Sequence, residues 1–210
     1  IQAPWSTQLD AALAAGNGGT VDGYDDVAFT QLQLTLIKSY YNVMGAGSFN
    51  LVGEIGGNFI DGMEDGQRYG RSSTFGIGAF EPVTDPITGA PVSCNGTTAI
   101  GVAPNTVAKN CTNRGYITDF AWGYRLRGSW NYSSAFWGIN LTPSVVWSHD
   151  VEGVSPAPNF NQGSKAIALS LKADYLQKYT AEISYVSFFD GDYNTKADRD
   201  FLALSVGVSF

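Results

Sequence analysis

No apolar run in this chain approaches the roughly 20 residues that a membrane-spanning helix needs, so a helical membrane protein is excluded. Cationic residues are scarce as well. The chain of 210 residues carries 12 Lys and Arg, scattered along its length, against 19 Asp and Glu, for a formal net charge of -7. That balance argues against nucleic acid as a partner. Histidine occurs once, at His149, between Ser148 and Asp150. On an extended chain, consecutive side chains point to opposite faces, so Ser148 and His149 diverge and cannot form a nucleophile and base pair. The chain therefore reads as a non-enzyme, with His149 a loop residue at a rim. Only two cysteines are present, Cys94 and Cys111, and no second Cys or His pair accompanies them to complete a metal centre. No cofactor motif stands out. Ile1-Gln2-Ala3-Pro4 lacks an initiator Met and the basic and apolar regions of a signal peptide, so a longer precursor is expected.

Glycine and aromatic residues are plentiful, charged residues make up 15% of the chain, and the mean hydropathy is close to neutral. A β-barrel wall, apolar outside and polar inside, averages to such a value. The pattern along the chain agrees. Leu202, Leu204, Val206 and Val208 alternate with Phe201, Ala203, Ser205, Gly207 and Ser209 up to the terminal Phe210. Upstream, the apolar sets are Tyr179, Ala181, Ile183 and Tyr185; Ile167, Leu169, Leu171, Ala173 and Tyr175; and Trp137, Ile139, Leu141, Pro143, Val145 and Trp147. Phe120, Trp122, Tyr124, Leu126, Gly128 and Trp130 form another, followed by a tight turn at Asn131-Tyr132-Ser133-Ser134. Phe49, Leu51, Gly53, Ile55 and Phe59, and then Leu32, Leu34 and Leu36, complete the series. Runs of about 10 to 14 residues suit a tilted strand crossing a bilayer, whereas soluble strands are nearer 5 or 6. The tail resembles the C-terminal assembly signal of outer-membrane proteins, which implies recognition of Phe210 by the barrel-assembly machinery.

Connections alternate between short turns, near Tyr41, Trp130 and Tyr175, and long polar loops, at 60–115, 149–163 and 190–199. Outer-membrane barrels place short turns in the periplasm and long loops outside. Aromatics cluster at both levels. Tyr40, Tyr41, Trp130, Tyr132, Phe136, Trp137, Tyr175, Tyr179 and Phe210 form one girdle, and Phe59, Phe120, Trp122, Trp147 and Phe189 the other. The expected fold is thus all-β: a transmembrane antiparallel β-barrel of the bacterial outer membrane, with residues 27–210 as wall. The strand count is odd and the first strand descends from outside, so these are expected to be the C-terminal strands of a larger barrel. Residues 1–26 are then an extracellular loop or plug-like segment, with a short Ala-rich helix capped at Thr7-Gln8-Leu9-Asp10 and stopped by Gly16. The alternative, an ascending strand over residues 1–15 that completes a small barrel, is opposed by Pro4 and by the helix signal.

The set facing the lumen includes Gln31, Gln33, Thr35, Asn50, Glu54, Asn58, Asp119, Arg125, Arg127, Asn140, Thr142, Ser144, Lys172 and Glu182. A turn centred on Gln177 sets Lys172 opposite Glu182, and one centred between Tyr132 and Ser133 sets Arg125 against Asn140. Two readings stay open: polar packing that rigidifies the wall, or a solute path whose Arg125 and Arg127 orient an anionic or amphipathic solute. Cys94 and Cys111, in the longest loop of a protein that traverses an oxidising compartment, are expected to pair. Such a bridge stabilises by about 3 kcal/mol in the chain-entropy model and staples the loop over the barrel mouth. Asp190, Asp192 and Asn194 fall at the first ligand spacings of an EF-hand. Thr195 and Phe201 then stand where Gly and the bidentate Glu belong, so the calcium reading is weak.

The closing Tyr193-Asn194-Thr195-Lys196-Ala197-Asp198-Arg199-Asp200-Phe201, followed by Leu-Ala-Leu-Ser-Val-Gly-Val-Ser-Phe, resembles the ending of a family of large proteobacterial outer-membrane proteins known only as a domain of unknown function. The resemblance covers about twenty residues, and members of that family are longer than this chain. It implies partnership with an envelope export system that includes a lipoprotein or periplasmic component and an inner-membrane exporter of hydrophobic compounds. The expected function is a channel or transporter for hydrophobic or amphipathic compounds, in contact with outer-membrane lipid and narrowed by the 60–115 loop. The alternatives are a general diffusion porin and a structural or surface-recognition barrel; at the level of fold, the runner-up is a soluble β-sandwich.

Overall fold

The computed structural model describes residues 12–14, 16, 24, 26–63, 69–70, 115–156, 159–191 and 193–210. Seven strands follow one another: β1 (Ala28–Val43), β2 (Ala46–Asp61), β3 (Phe120–Phe136), β4 (Ile139–Glu152), β5 (Lys165–Tyr175), β6 (Tyr179–Phe189) and β7 (Phe201–Val208). They form a single antiparallel sheet in sequence order, with every neighbour in space also a neighbour in the chain. The sheet is open: β1 and β7 are its edges, and no pairing between them closes a barrel. Before β1, Ala12, Leu13 and Ala14 are helical, and Gly16, at φ 83°, donates its N–H to Leu13 O at 3.2 Å. That left-handed stop is one glycine adopts without a Cβ clash.

Register divides the side chains into two faces. Antiparallel partners share a face, and the ladder links Leu34 with Ile55, Ile55 with Tyr124, Leu126 with Trp147, Trp147 with Ile167, and Ile183 with Leu204. This face carries the apolar sets. The opposite face links Thr35 with Glu54, Glu54 with Arg125, Arg125 with Ser148, Ser144 with Ser170, and Lys172 with Glu182. It carries polar rungs: Ser39 Oγ donates to Asn50 Oδ1 at 2.7 Å, Asn131 Nδ2 to Ser48 Oγ at 2.9 Å, and the Ser144 and Ser170 hydroxyls lie 2.8 Å apart. The apolar face stays uncovered. Leu32, Leu34, Leu36, Leu202, Leu204 and Val206 are each 57–81% exposed, and Leu126, Leu169 and Ile183 in the middle of the sheet are 43–48% exposed. A sheet of this size in water would bury that face against a second layer.

Three short turns lie at one end. Met44-Gly45 and Trp137-Gly138 are two-residue links with positive φ at both positions, the backbone twist that two-stranded hairpins favour. Leu176, Gln177 and Lys178 form the third. The second turn corrects the expected one: β3 runs through Asn131-Tyr132-Ser133-Ser134 and ends at Phe136. An irregularity between Tyr132 and Phe136 absorbs the extra residues, with Ser134 at φ 52° donating its N–H to Asn140 Oδ1 at 2.9 Å. Arg125 accordingly opposes Ser148 rather than Asn140, whose register partner is Asp174. β4 also extends to Glu152, so His149 is a strand residue rather than a loop residue. At the C-terminus β7 stops at Val208. Ser209 still donates to Lys178 O at 2.8 Å, while Phe210, beyond the last rung offered by β6, is fully exposed.

Candidate functional site

The polar face is partly roofed at the end away from the short turns. The connection between β4 and β5 turns back as a small hairpin in which Val154 bridges Asn161. Gln162 donates its N–H to Gly153 O at 2.9 Å, and Phe160 donates its N–H to Ser155 Oγ at 3.0 Å. Thr118 pins it to β3. Its N–H donates to Val154 O at 3.0 Å, and its hydroxyl accepts the Val154 N–H at 2.9 Å while donating to Phe120 O at 2.6 Å. Val154, Ser155 and Phe160 are buried in consequence. The Phe160 ring rests on two glycines that are register partners, Gly56 and Gly123. A Cβ at Gly56 would lie 3.5 Å from Phe160 Cζ, and one at Gly123 only 3.1 Å from Phe160 Cδ1 and 2.7 Å from His149 O.

Beneath Phe160 lies a cavity of about 210 Å³, lined by Gln31, Gln33, Glu54, Arg125 and Asn159 among others. Arg125 is its charged centre. Its guanidinium donates to Asp150 Oδ1 at 2.6 Å, to Tyr124 O at 3.0 Å and to His149 O at 3.3 Å. Asp150 in turn holds the hairpin: its second oxygen accepts the Asn161 N–H at 3.0 Å, its carbonyl accepts the Gly163 N–H at 2.8 Å, and its N–H donates to Ser164 O at 2.9 Å. One carboxylate therefore joins the polar-face arginine to the roof. Glu54, across the register from Arg125, accepts from Thr35 Oγ1 at 3.4 Å. Close by, the Asn58 side chain is completely buried, and among the described residues neither its Oδ1 nor its Nδ2 meets a hydrogen-bond partner.

Replacing Asp150 with Asn keeps the shape and removes one acceptor and the charge. Charge-assisted bonds contribute about 1.5–3 kcal/mol, and the partial exposure of the pair (side chains 38% and 13%) reduces that. The expected outcome is about a tenfold rise in hydrogen exchange at the Asn161 and Gly163 amides, equivalent to about 1.4 kcal/mol, with the ladder between β5 and β6 unchanged.

Of the polar side chains singled out by sequence, the cavity brings together Gln31, Gln33, Glu54 and Arg125. Arg127 lies on the same face but is exposed. Asn140, Lys172 and Glu182 also share the face and sit toward the short-turn end, away from the cavity. Among the described residues the ion pairs are Arg125 with Asp150 and Lys165 with Asp190, so Lys172 and Glu182 are opposite but not bonded. Cys94 and Cys111 lie outside the described residues, as does most of the 60–115 segment. Of the calcium candidates, Asp190 accepts from Lys165 Nζ at 2.8 Å, and Asn194 closes the turn, donating to Asp190 O at 2.9 Å and accepting the Lys196 N–H at 3.0 Å. Asp192 lies outside the described residues. Ser148 and Asp150 point to the polar face, while His149 packs edge-on to Tyr124 on the other, with ring centroids 5.6 Å apart. Sequence reasoning missed Asp150 and Phe160. The signal that could have found Asp150 was its place on the Arg125 face one residue past the lone histidine.

The Asp-Arg-Asp-Phe element also acquires a role. Asp200 accepts the Phe188 N–H at 2.9 Å and the Tyr185 hydroxyl at 2.8 Å, stapling the β6–β7 connection across the top of β6. The Phe188 N–H, followed by the hydroxyls of Tyr185 and Ser187, holds the Asp200 carboxyl below its ordinary value. A depressed carboxylate contributes above the unfolded pKa and is lost as pH falls through the folded one. Exchange at the Phe188 amide, corrected for the intrinsic rate, is therefore expected to be flat from neutral pH down to about 4 and to rise below it. In Asp200→Asn the same amide should show no such step.

These features define an all-β protein built on a two-faced antiparallel sheet, one face apolar and uncovered, the other polar and partly roofed by its own loop. The chain belongs to the family described as "Protein of unknown function (DUF1302)", whose model matches residues 2–210. Neither a curated protein nor a solved structure matches it.

Proposed function

We propose that this chain forms wall strands of a bacterial outer-membrane β-barrel that passes hydrophobic or amphipathic compounds. The observation that carries this reading is the pairing of an uncovered apolar face with a polar face that a loop folds over. In a barrel the first meets lipid and the second lines the lumen. β1–β6 are 11–17 residues long, enough to cross the hydrocarbon layer at a tilt. The aromatic rows suit the two headgroup layers: Phe49 on Trp130 (4.6 Å) and Tyr175 on Tyr179 (6.4 Å) at the short-turn end, Phe59 on Phe120 (4.9 Å) at the other. In this reading Phe160 and the Asp150 latch narrow the lumen, the open edges β1 and β7 take further strands, and Phe210 addresses the assembly machinery. Lipid is the surrounding partner, and a lipoprotein or periplasmic component of an export system is the proposed functional one. No catalytic role is assigned.

Arg125 is neutralised by Asp150, which speaks for a narrowed path over a diffusion porin with segregated charged rows. Migration in detergent gels with and without boiling, followed by single-channel recording, tests the proposal. Heat-modifiable migration with small or absent steps and co-purifying apolar compounds is expected. Large, steady steps favour the porin, and identical migration in both conditions overturns the barrel.

A further inference from the structure

The apolar face is not a smooth wall. Between β1 and β3 it carries a groove of about 320 Å³, at the lower end of the ~300–1,000 Å³ range of small-molecule sites. Leu32 and Leu34 form one side, Phe120 and Trp122 the other, with Ile55 and Phe59 along its length. Its floor is Gly56-Gly57. Ile55, Gly57 and Phe59 share this face, and at ~3.3 Å per residue the groove follows β2 for about 13 Å. Gln33 and Gly56, register partners, line both this groove and the polar cavity beneath Phe160, so the two are back to back across one residue pair.

We propose that this groove holds one acyl chain of a membrane lipid, an inference that rests on the barrel reading above. On this face its lining side chains are aliphatic or aromatic, Gln33 belonging to the polar face, so an occupant must carry no hydrogen-bonding groups along its length. An extended peptide fails that condition: laid on the face of a sheet whose own N–H and C=O groups are paired in plane, its backbone would go unmet. A hydrocarbon chain meets it. The groove opens onto the uncovered face, and the β1–β2 ladder runs without a register shift from Ala28 to Val43, so the occupant comes from the bilayer and not through the wall from the cavity.

Gly57 supplies the test. A Cβ there would meet Ala121 O at 3.4 Å and Phe120 Cε2 and Trp122 Cβ at 3.5 Å, ordinary contacts, so the backbone accepts a side chain at this position and Gly57→Leu is expected to fill the groove. The full chain, with Trp5, Trp130, Trp137 and Trp147 replaced by Phe, is reconstituted into phosphatidylcholine vesicles containing a rising fraction of acyl-brominated phospholipid. Trp122 fluorescence is expected to show a saturable quenching step above the linear background from bulk lipid. Gly57→Leu should lose the step and keep the background. Linear quenching alone, the same in both proteins, overturns the proposal while leaving the barrel intact. A saturable step that appears only when brominated free fatty acid is added makes the groove a solute site instead. Protein that fails to float with vesicles, and runs identically boiled and unboiled, overturns the groove and the barrel together.

Discussion

Leu169→Arg is expected to destabilise the folded protein in detergent or lipid by about 2–4 kcal/mol, the cost of a cation on the lipid face near the mid-plane of a barrel. Leu169 lies in the centre of β5, ladder-bonded on both sides to Val145 and Tyr185, and its side chain is 48% exposed on the apolar face. If water faced that surface, the same change would fall within about 0.5 kcal/mol, as surface substitutions usually do. The size of the effect therefore reports the solvent. Ser184→Arg provides the contrast. It sits on the polar face of β6, opposite Ser170 and Ala203 and two residues from Glu182, and is expected to change stability by less than about 0.5 kcal/mol. Urea unfolding of the vesicle-reconstituted chain, read by tryptophan fluorescence, measures both. Equal small effects at the two positions would return the sheet to a soluble fold.

Gly153→Ala should cost about 3 kcal/mol. Gly153 adopts φ 78° where β4 leaves the sheet, and a Cβ there would collide with Phe120 O and lie 2.6 Å from Ala121 Cα and 2.7 Å from Thr118 Oγ1. Two of those atoms are backbone of the neighbouring strand and cannot swing away. Overpacking costs about 1–3 kcal/mol, and the left-handed backbone adds about 1 more for a residue with a Cβ. The loss should be local. Exchange protection is expected to fall at the Val154, Phe160 and Asn161 amides, which belong to the roof, and to persist across β5–β7. If the roof forms a barrier over the lumen, conductance rises in the same variant; unchanged protection at the roof would show that the β4–β5 hairpin does not depend on this close approach.

The faces of the sheet were legible from alternation alone, because a side-chain period of two survives any even error in register. The turn expected at Tyr132-Ser133 was displaced toward Phe136, which moved the partner of Arg125 from Asn140 to Ser148, an even shift that left every face assignment standing. The turn was missed because Trp137, an 89% exposed tryptophan at φ 51°, is not a turn-type residue; Gly138 after it was the available cue. The Lys172–Glu182 register came through because Leu176-Gln177-Lys178 is short and flanked by a strict pattern. The roof was illegible for a different reason. Phe160 rests on glycines of β2 and β3 whose value as a seat exists only once those two strands, distant in sequence, are paired, and Asp150 reaches Arg125 only in the register set by the displaced turn. The staple at Asp200 was visible as a motif but not as a hydrogen-bond acceptor.

The strictly sequential strand order has a bearing on assembly. Strands β3 to β7 are joined by connections no longer than the one from Gly153 to Ser164, so this meander can grow by adding one hairpin at a time. The β1–β2 hairpin, turned by two residues, is just as local. The long closure lies between them, across residues 62–119, where the entropy of bringing the ends together is spent before any β2–β3 contact forms. The sheet is thus expected to form as two fast pieces joined along one slow seam. The glycine pair that seats Phe160, Gly56 with Gly123, lies on that seam, so the roofed cavity is expected to be the last part of the molecule to form.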